Sequence, residues 1–222
     1  MNGLRSPEQD GAFATLRQFV RKRPNVERCE LCAIALPHEH QHLIEPIQRK
    51  LVCACEACSI LFSHQAGLKY KRVPRRVRWL SDFKMSDAQW EAMRIPIDMA
   101  FFFHSTPEGR VAAFYPSPAG ATESLLPLES WSEIARENPA LNEMEADVEA
   151  LLVNRVGHPR RTGAAIYSIV PIDECYKLVG LIRTHWKGFG GGTEVWQEIE
   201  KFFGELRAKA GVKNTEVEQS NA

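Results

Sequence analysis

The chain has 222 residues, 44% apolar and 25% charged, which is the composition of a globular chain with room for one medium domain or for a small module and a body. No apolar run approaches the ~20 residues of a membrane helix, and the start lacks a charged stretch followed by an apolar one, so neither a membrane span nor a secretory signal is expected. The net charge of zero conceals an asymmetry: residues 1–80 hold 14 Lys+Arg against 7 Asp+Glu, and residues 81–222 hold 14 against 21. A basic part of this kind either binds an acidic partner such as nucleic acid or is neutralised by the acidic part within the fold.

In chain order, Phe13, Leu16 and Val20 recur at near-helical spacing and predict a helix within residues 1–27. Residues 28–68 form a cysteine module in which a short hairpin is expected between two cysteine pairs, with the helix-compatible Ser59-Ile60-Leu61-Phe62 after the second pair. Residues 69–94 read as a connector. Its Lys69–Arg78 stretch holds six positive charges around Pro74 and predicts an extended, solvated segment or edge strand. Ser86 with Gln89 has the capping-box spacing and predicts a short helix.

The body spans residues 95–210. Strands are expected over 99–105, 110–115, 122–126, 148–156 and 164–170, with a helix opened by Ser130 and Glu133. A further helix over 174–186 is expected with Asp173 as its N-cap, burying Tyr176, Val179 and Ile182. After the glycine-rich turn at residues 188–192, Thr193 is expected to cap a last amphipathic helix carrying Trp196, Ile199, Phe203 and Leu206 on its apolar face. Residues 211–222 are polar and read as a disordered tail. The fold class expected is α+β, with a treble-clef-like or zinc-ribbon-like four-cysteine module preceding an α+β body.

The chemistry lies in the cysteines. Cys29-Glu30-Leu31-Cys32 and Cys55-Glu56-Ala57-Cys58 are two C-x-x-C pairs separated by 22 residues. Each such turn aims two thiolates at one point, and two turns supply the four ligands of a tetrahedral metal. Zinc is the expected ion. Iron in a rubredoxin-like site uses the same donors, but such turns place glycine after the second cysteine of each pair, where this chain has Ala33 and Ser59. Cys53, two residues before Cys55, is a spare ligand, an adjacent thiol or a core residue. Cysteines in metal-type pairs also point to a reducing cytoplasm rather than to disulfides.

His38, His40 and His42 alternate. On a strand they share a face, where they form either a solvated surface or a second metal or catalytic cluster. The string from His40 to Pro46 is similar to the catalytic strand of HNH nucleases, but the segment from Pro46 to Cys55 lacks the asparagine and glycine-rich loop that this chemistry needs. Cys175 lies in the first turn of a helix with no histidine placed as its base, and is read as a core thiol. Arg183, His185 and Trp186 form a polar–aromatic group suited to partner binding, or a helix end that complements its dipole.

Several strings together resemble a bacterial family of uncharacterised proteins often encoded beside uptake [NiFe]-hydrogenase genes. They are Cys29–Cys32, Leu51–Cys58, Ala100–Phe103, Phe114–Pro116 with Gly120–Leu126, and Pro171–Trp186, and the resemblance covers about residues 27–208. It implies a cytoplasmic bacterial protein serving a hydrogenase, and it implies no catalytic residue. The reading favoured is a non-enzymatic, zinc-containing accessory or assembly factor that binds a protein partner. Its alternatives are a nucleic-acid-binding or degenerate HNH-like protein, and a rubredoxin-like iron electron carrier.

Overall fold

A computed structural model describes residues 26–63, 69–124, 131–156, 165–188 and 190–211. The expected N-terminal helix, Ser130 of the second capping pair and most of the tail lie outside the described residues.

A six-stranded antiparallel sheet forms the centre. Its strands are β4 (Arg78–Trp79), β5 (Met99–Ser105), β6 (Arg110–Ser117), β7 (Gly120–Glu123), β8 (Glu149–Asn154) and β9 (Ile166–Pro171), in the spatial order β4-β9-β8-β5-β6-β7. β5 is an almost unbroken apolar run because both faces of the sheet are covered. Side chains alternate across a strand, so Phe101 and Phe103 enter one core while Ala100 and Phe102 enter the other.

The first core is closed by α4 (Ile172–His185) and α5 (Gly192–Lys209), which contribute Cys175, Leu178, Ile182, Val195, Ile199 and Phe203. The second is closed by α2 (Asp87–Ala92), α3 (Trp131–Glu137) and a 3-10 turn at Pro139–Glu143, through Trp90, Trp131, Ile134 and Leu141. The Ser86–Gln89 capping box opens α2 as the spacing predicts.

Both C-terminal helices start differently from the sequence expectation. α4 begins at Ile172 with Pro171 in the cap position and no side-chain cap, so Asp173 lies inside the first turn rather than capping it. Its carboxylate is thereby free to reach another element. The cap of α5 is Gly191, not Thr193. Gly191 has φ +79, and a Cβ there would lie 2.9 Å from Val195 Cγ1, so only glycine lets the chain reverse this close to the helix it starts. Trp196 is 40% exposed and does not join the core as its helical spacing predicts, whereas Val195 and Phe202 do. Tyr176 is half-buried and meets Phe101 edge-on, with ring centroids 6.2 Å apart.

The cysteine module is a second, three-stranded sheet in the order β2-β1-β3, from β1 (Gln41–Glu45), β2 (Lys50–Ala54) and β3 (Lys71–Arg72), followed after β2 by α1 (Glu56–Ser63). Leu36, Leu43, Val52 and Ala54 form its own small core with Cys29 and Cys58. Ile44 and Val73 belong instead to the core beneath α4 and α5. Arg49, in the turn between β1 and β2, lies 4.8 Å over the Phe114 ring and pairs with Glu123 at 3.0 Å, tying the hairpin tip to the body.

The basic connector is not a solvated stripe. Lys69 pairs with Glu45, Lys71 with Asp147, Arg72 with Glu56, Arg76 with Glu149 and Arg78 with Glu143. The charge asymmetry of the sequence is largely neutralised within the fold at this segment.

Candidate functional site

The two cysteine pairs reach one point by different routes. In the first, the Cys29 amide donates to the Ile34 carbonyl and the Ala33 amide donates to the Cys29 carbonyl at 2.8 Å, which folds the pair into a tight knuckle. Ala33 closes it at φ +63, the left-handed conformation that glycine adopts without strain. In the second, Cys55 directly precedes α1 and Cys58 lies in its first turn. The Cys58 amide points at Cys55 Sγ from 3.5 Å, and the N-terminal end of the helix favours negative charge on these sulfurs. Knuckle, hairpin and helix follow one another in the treble-clef order, and no second knuckle of the ribbon kind is needed to bring the pairs together.

One sulfur from each of Cys29, Cys32, Cys55 and Cys58 lies within 4.8 Å of the other three, and Cys32 and Cys55 are 3.8 Å apart. A tetrahedral ion with metal–sulfur bonds of ~2.3 Å needs sulfurs ~3.8 Å apart, so the donor set fits a metal with little movement. The electrostatics agree. Burial raises the Cys29 thiol, but the backbone amides of Cys55, Leu31 and Cys32 and the neighbouring Cys32 thiol outweigh it and bring it down to about 6. Burial and the surrounding sulfurs push Cys58 up to about 12. Four thiolates so close repel one another, and a cation at their centre is what allows all four to ionise together.

Cys53 does not join this set. β2 ends at Ala54 and the chain turns into α1, so Cys53 and Cys55 do not continue on one strand face. Cys53 instead stands opposite His42 in the β1–β2 register. Among the described residues, His40, His42 and Cys53 form a second group of metal-ligating type within 4.8 Å. His38 is exposed in a bend before β1, outside this group, so the expected three-histidine face reduces to two.

Cys175 is fully buried among the residues of α4, α5 and the sheet, and burial, with the charges of Asp173 and Glu174, pushes its thiol well above the ordinary value. This is the environment of a core thiol and not of a nucleophile. At the end of α4, Arg183 is exposed, His185 pairs with Glu194 at 3.0 Å, and Trp186 donates its indole N–H to the Gly188 carbonyl and meets Trp196 edge-on.

Residues 28–210 match the model of a family of unknown function, DUF5947, and the chain belongs to that family. The match agrees with the resemblance to an uncharacterised family carried by the cysteine pairs and the Pro171–Trp186 string. No curated protein and no solved structure is similar to the chain.

Proposed function

We propose that this protein is a non-enzymatic accessory factor that docks a protein partner, and that Cys29, Cys32, Cys55 and Cys58 hold a structural zinc ion. The observation that carries the structural role is the closure of the donor set: four sulfurs converge on one point within the module's own core, which leaves no coordination position for substrate or water. Zinc is favoured over iron because only the first pair forms a knuckle, while the second pair opens a helix. The neutralised connector weighs against a nucleic-acid-binding role, since phosphate contacts need cations that are not already paired.

The end of α4 and the turn into α5 supply the docking surface in this reading. Arg183 is exposed there, and the half-buried Trp186 and the partly exposed Trp196 offer aromatic area beside it. A [NiFe]-hydrogenase component as the partner rests on the sequence resemblance.

Two measurements test the reading. Purified full-length chain is expected to be colourless and to contain zinc by elemental analysis. A visible absorption band that bleaches on reduction would establish iron and move the protein to the electron carriers. Recovery of a partner at native expression is expected to fall with Arg183→Ala and Trp186→Ala while the fold persists. Loss of stability with unchanged recovery would remove the docking assignment.

A further inference from the structure

The second group, His40, His42 and Cys53, has the construction of a metal site in its own right. Cys53 exchanges its backbone hydrogen bonds with Glu30: the Cys53 amide donates to Glu30 Oε1 at 2.9 Å and the Cys53 carbonyl accepts from the Glu30 amide at 2.9 Å. The His42 carbonyl accepts from the Val73 amide on the other side. The two residues therefore face each other as a non-hydrogen-bonded cross-strand pair, the arrangement in which opposed side chains approach most closely. His40 precedes His42 by two residues, and their ring centroids are 4.8 Å apart at 74°.

Each imidazole is oriented by the nitrogen that a ligand would not use. His42 Nδ1 donates to Asp173 Oδ2 at 2.7 Å, across 131 residues of sequence and from the first turn of α4. His40 Nδ1 donates to the Pro37 carbonyl at 3.0 Å. Carboxylate and carbonyl only accept here, so both Nδ1 atoms carry the proton and both Nε2 atoms keep a lone pair. This is how metal-binding histidines are held. The independent sign is His40 itself. Its side chain is 5% exposed, and its Nε2 is buried without a hydrogen-bond partner. A buried acceptor left unmet is costly, and one that points into a cluster with a second imidazole and a thiol is met by a cation.

We propose that His40, His42 and Cys53 form a second metal site, separate from the four-cysteine centre, that takes a borderline divalent cation of the zinc and cobalt class. Two imidazoles and a thiolate suit that class by donor type. A tetrahedral ion needs N···N and N···S separations of ~3.4–3.6 Å, so modest side-chain rotation from the present spacing suffices. Three protein ligands leave a fourth position for water or an exogenous ligand, and His42 and Cys53 are both partly exposed, which leaves that position reachable. Glu27 and Glu30 stand close by and add negative charge around the cation. Asp173 is a positioning residue, not a ligand, and through it occupancy of the site is linked to the start of α4.

The test uses the tag-free, full-length chain loaded with zinc, then treated with a mild chelator that spares a four-thiolate centre. Co2+ is the probe. Wild type is expected to take up one further equivalent and to show tetrahedral d–d bands with a sulfur-to-cobalt charge-transfer band of one-thiolate intensity. Cys53→Ser is expected to lose the charge-transfer band. His40→Ala is expected to weaken cobalt binding by about 10-fold or more while leaving the His42–Asp173 contact, and hence the fold, in place. Asp173→Asn is expected to weaken binding by about 10–100-fold without changing the band positions. If wild type takes up no second equivalent, the proposal is wrong. It is equally wrong if the cobalt spectrum has four-thiolate intensity and is indifferent to His40→Ala and Cys53→Ser. Neither result bears on the structural zinc or on partner docking, which are read by zinc content and pull-down.

Discussion

Arg76→Ala asks whether the basic connector serves the fold or an external partner. Glu149 is fully buried, and its carboxylate takes both Arg76 Nε at 2.7 Å and Arg76 Nη2 at 3.1 Å, the two-pronged geometry that makes such pairs strong. Removing one partner of a buried pair costs about 3–5 kcal/mol because the remaining charge is stranded. Two features reduce that figure here. Glu149 Oε2 keeps the Glu145 amide at 2.9 Å and Arg78 at 3.8 Å, and the Arg76 side chain is itself 56% exposed and so partly screened. We therefore expect a loss of about 2 kcal/mol, a fall of about 1 M in the urea midpoint for a chain of this size. Arg72→Ala is the control, because its pair with Glu56 is exposed on both sides and should cost about 0.5 kcal/mol or less. A double-mutant cycle with Glu149→Gln should recover most of the loss as coupling. If Arg76→Ala falls within 0.5 kcal/mol of wild type, or matches Arg72→Ala, the connector's charge is not committed internally, and a nucleic-acid role regains its basis.

Acid titration probes the same pair. Burial pushes the Glu149 carboxyl up, but Arg76 and the Glu145 amide outweigh it and hold it below the ordinary 4.5. Its stabilisation is therefore complete above pH 4.5 and is lost as the pH falls through the depressed folded value, so the stability gap between wild type and Glu149→Gln should narrow only below pH 4.5, as read by urea melts across that range. Gly191→Ala should cost about 1–3 kcal/mol in thermal unfolding, because the residue sits at φ +79 with Val195 Cγ1 2.9 Å from the new Cβ. An unchanged melting temperature would mean that the α4–α5 turn is not held as described. Strong chelation, or Cys58→Ala, should raise amide exchange across residues 28–63 well before α4 and α5 are affected, because the module's own core is small. Uniform exchange over the whole chain would show that the metal stabilises the body directly.

Much of this architecture is written locally. The two C-x-x-C spacings bring the four sulfurs together because each pair is completed within a few residues, by the Ala33 turn in one case and by the start of α1 in the other. The β5 run Ala100–Phe103 announces a strand covered on both faces, and Ser86 with Gln89 announces α2. The misreadings have physical causes. A polar residue before an apolar helix looks like a cap, yet Asp173 and Thr193 each lie one or two positions inside helices whose starts are set by Pro171 and Gly191. Helical spacing places Trp196 beside the apolar face, but Val195 and Ile199 already fill the core and leave the indole outside, where its N–H reaches the Gly190 carbonyl. Composition shows that the first 80 residues are basic and cannot show which carboxylates meet them, since the partners of Lys71, Arg76 and Arg78 lie 65 or more residues away.

Cys53 and Cys55 show where pattern reading stops. As two cysteines two residues apart, they would share a face on a continued strand, and nothing local separates a ligand of one centre from a ligand of another. The separation comes from where β2 ends. Ala54, fully buried, is its last residue, and the next residues wind into α1 and carry Cys55 toward the first pair. Cys53 remains on the sheet, held by two backbone bonds to Glu30 and faced by His42. His42 in turn is aimed by Asp173, which is free to do so only because it does not cap its own helix. The chain thus sorts its cysteines by secondary structure: those at turns and a helix start close a four-sulfur site, and the one left on a strand meets imidazoles. A single residue inserted between Cys53 and Cys55 would preserve both C-x-x-C pairs and still disrupt this sorting, which is why spacing alone identifies the first site and long-range contacts are needed to find the second.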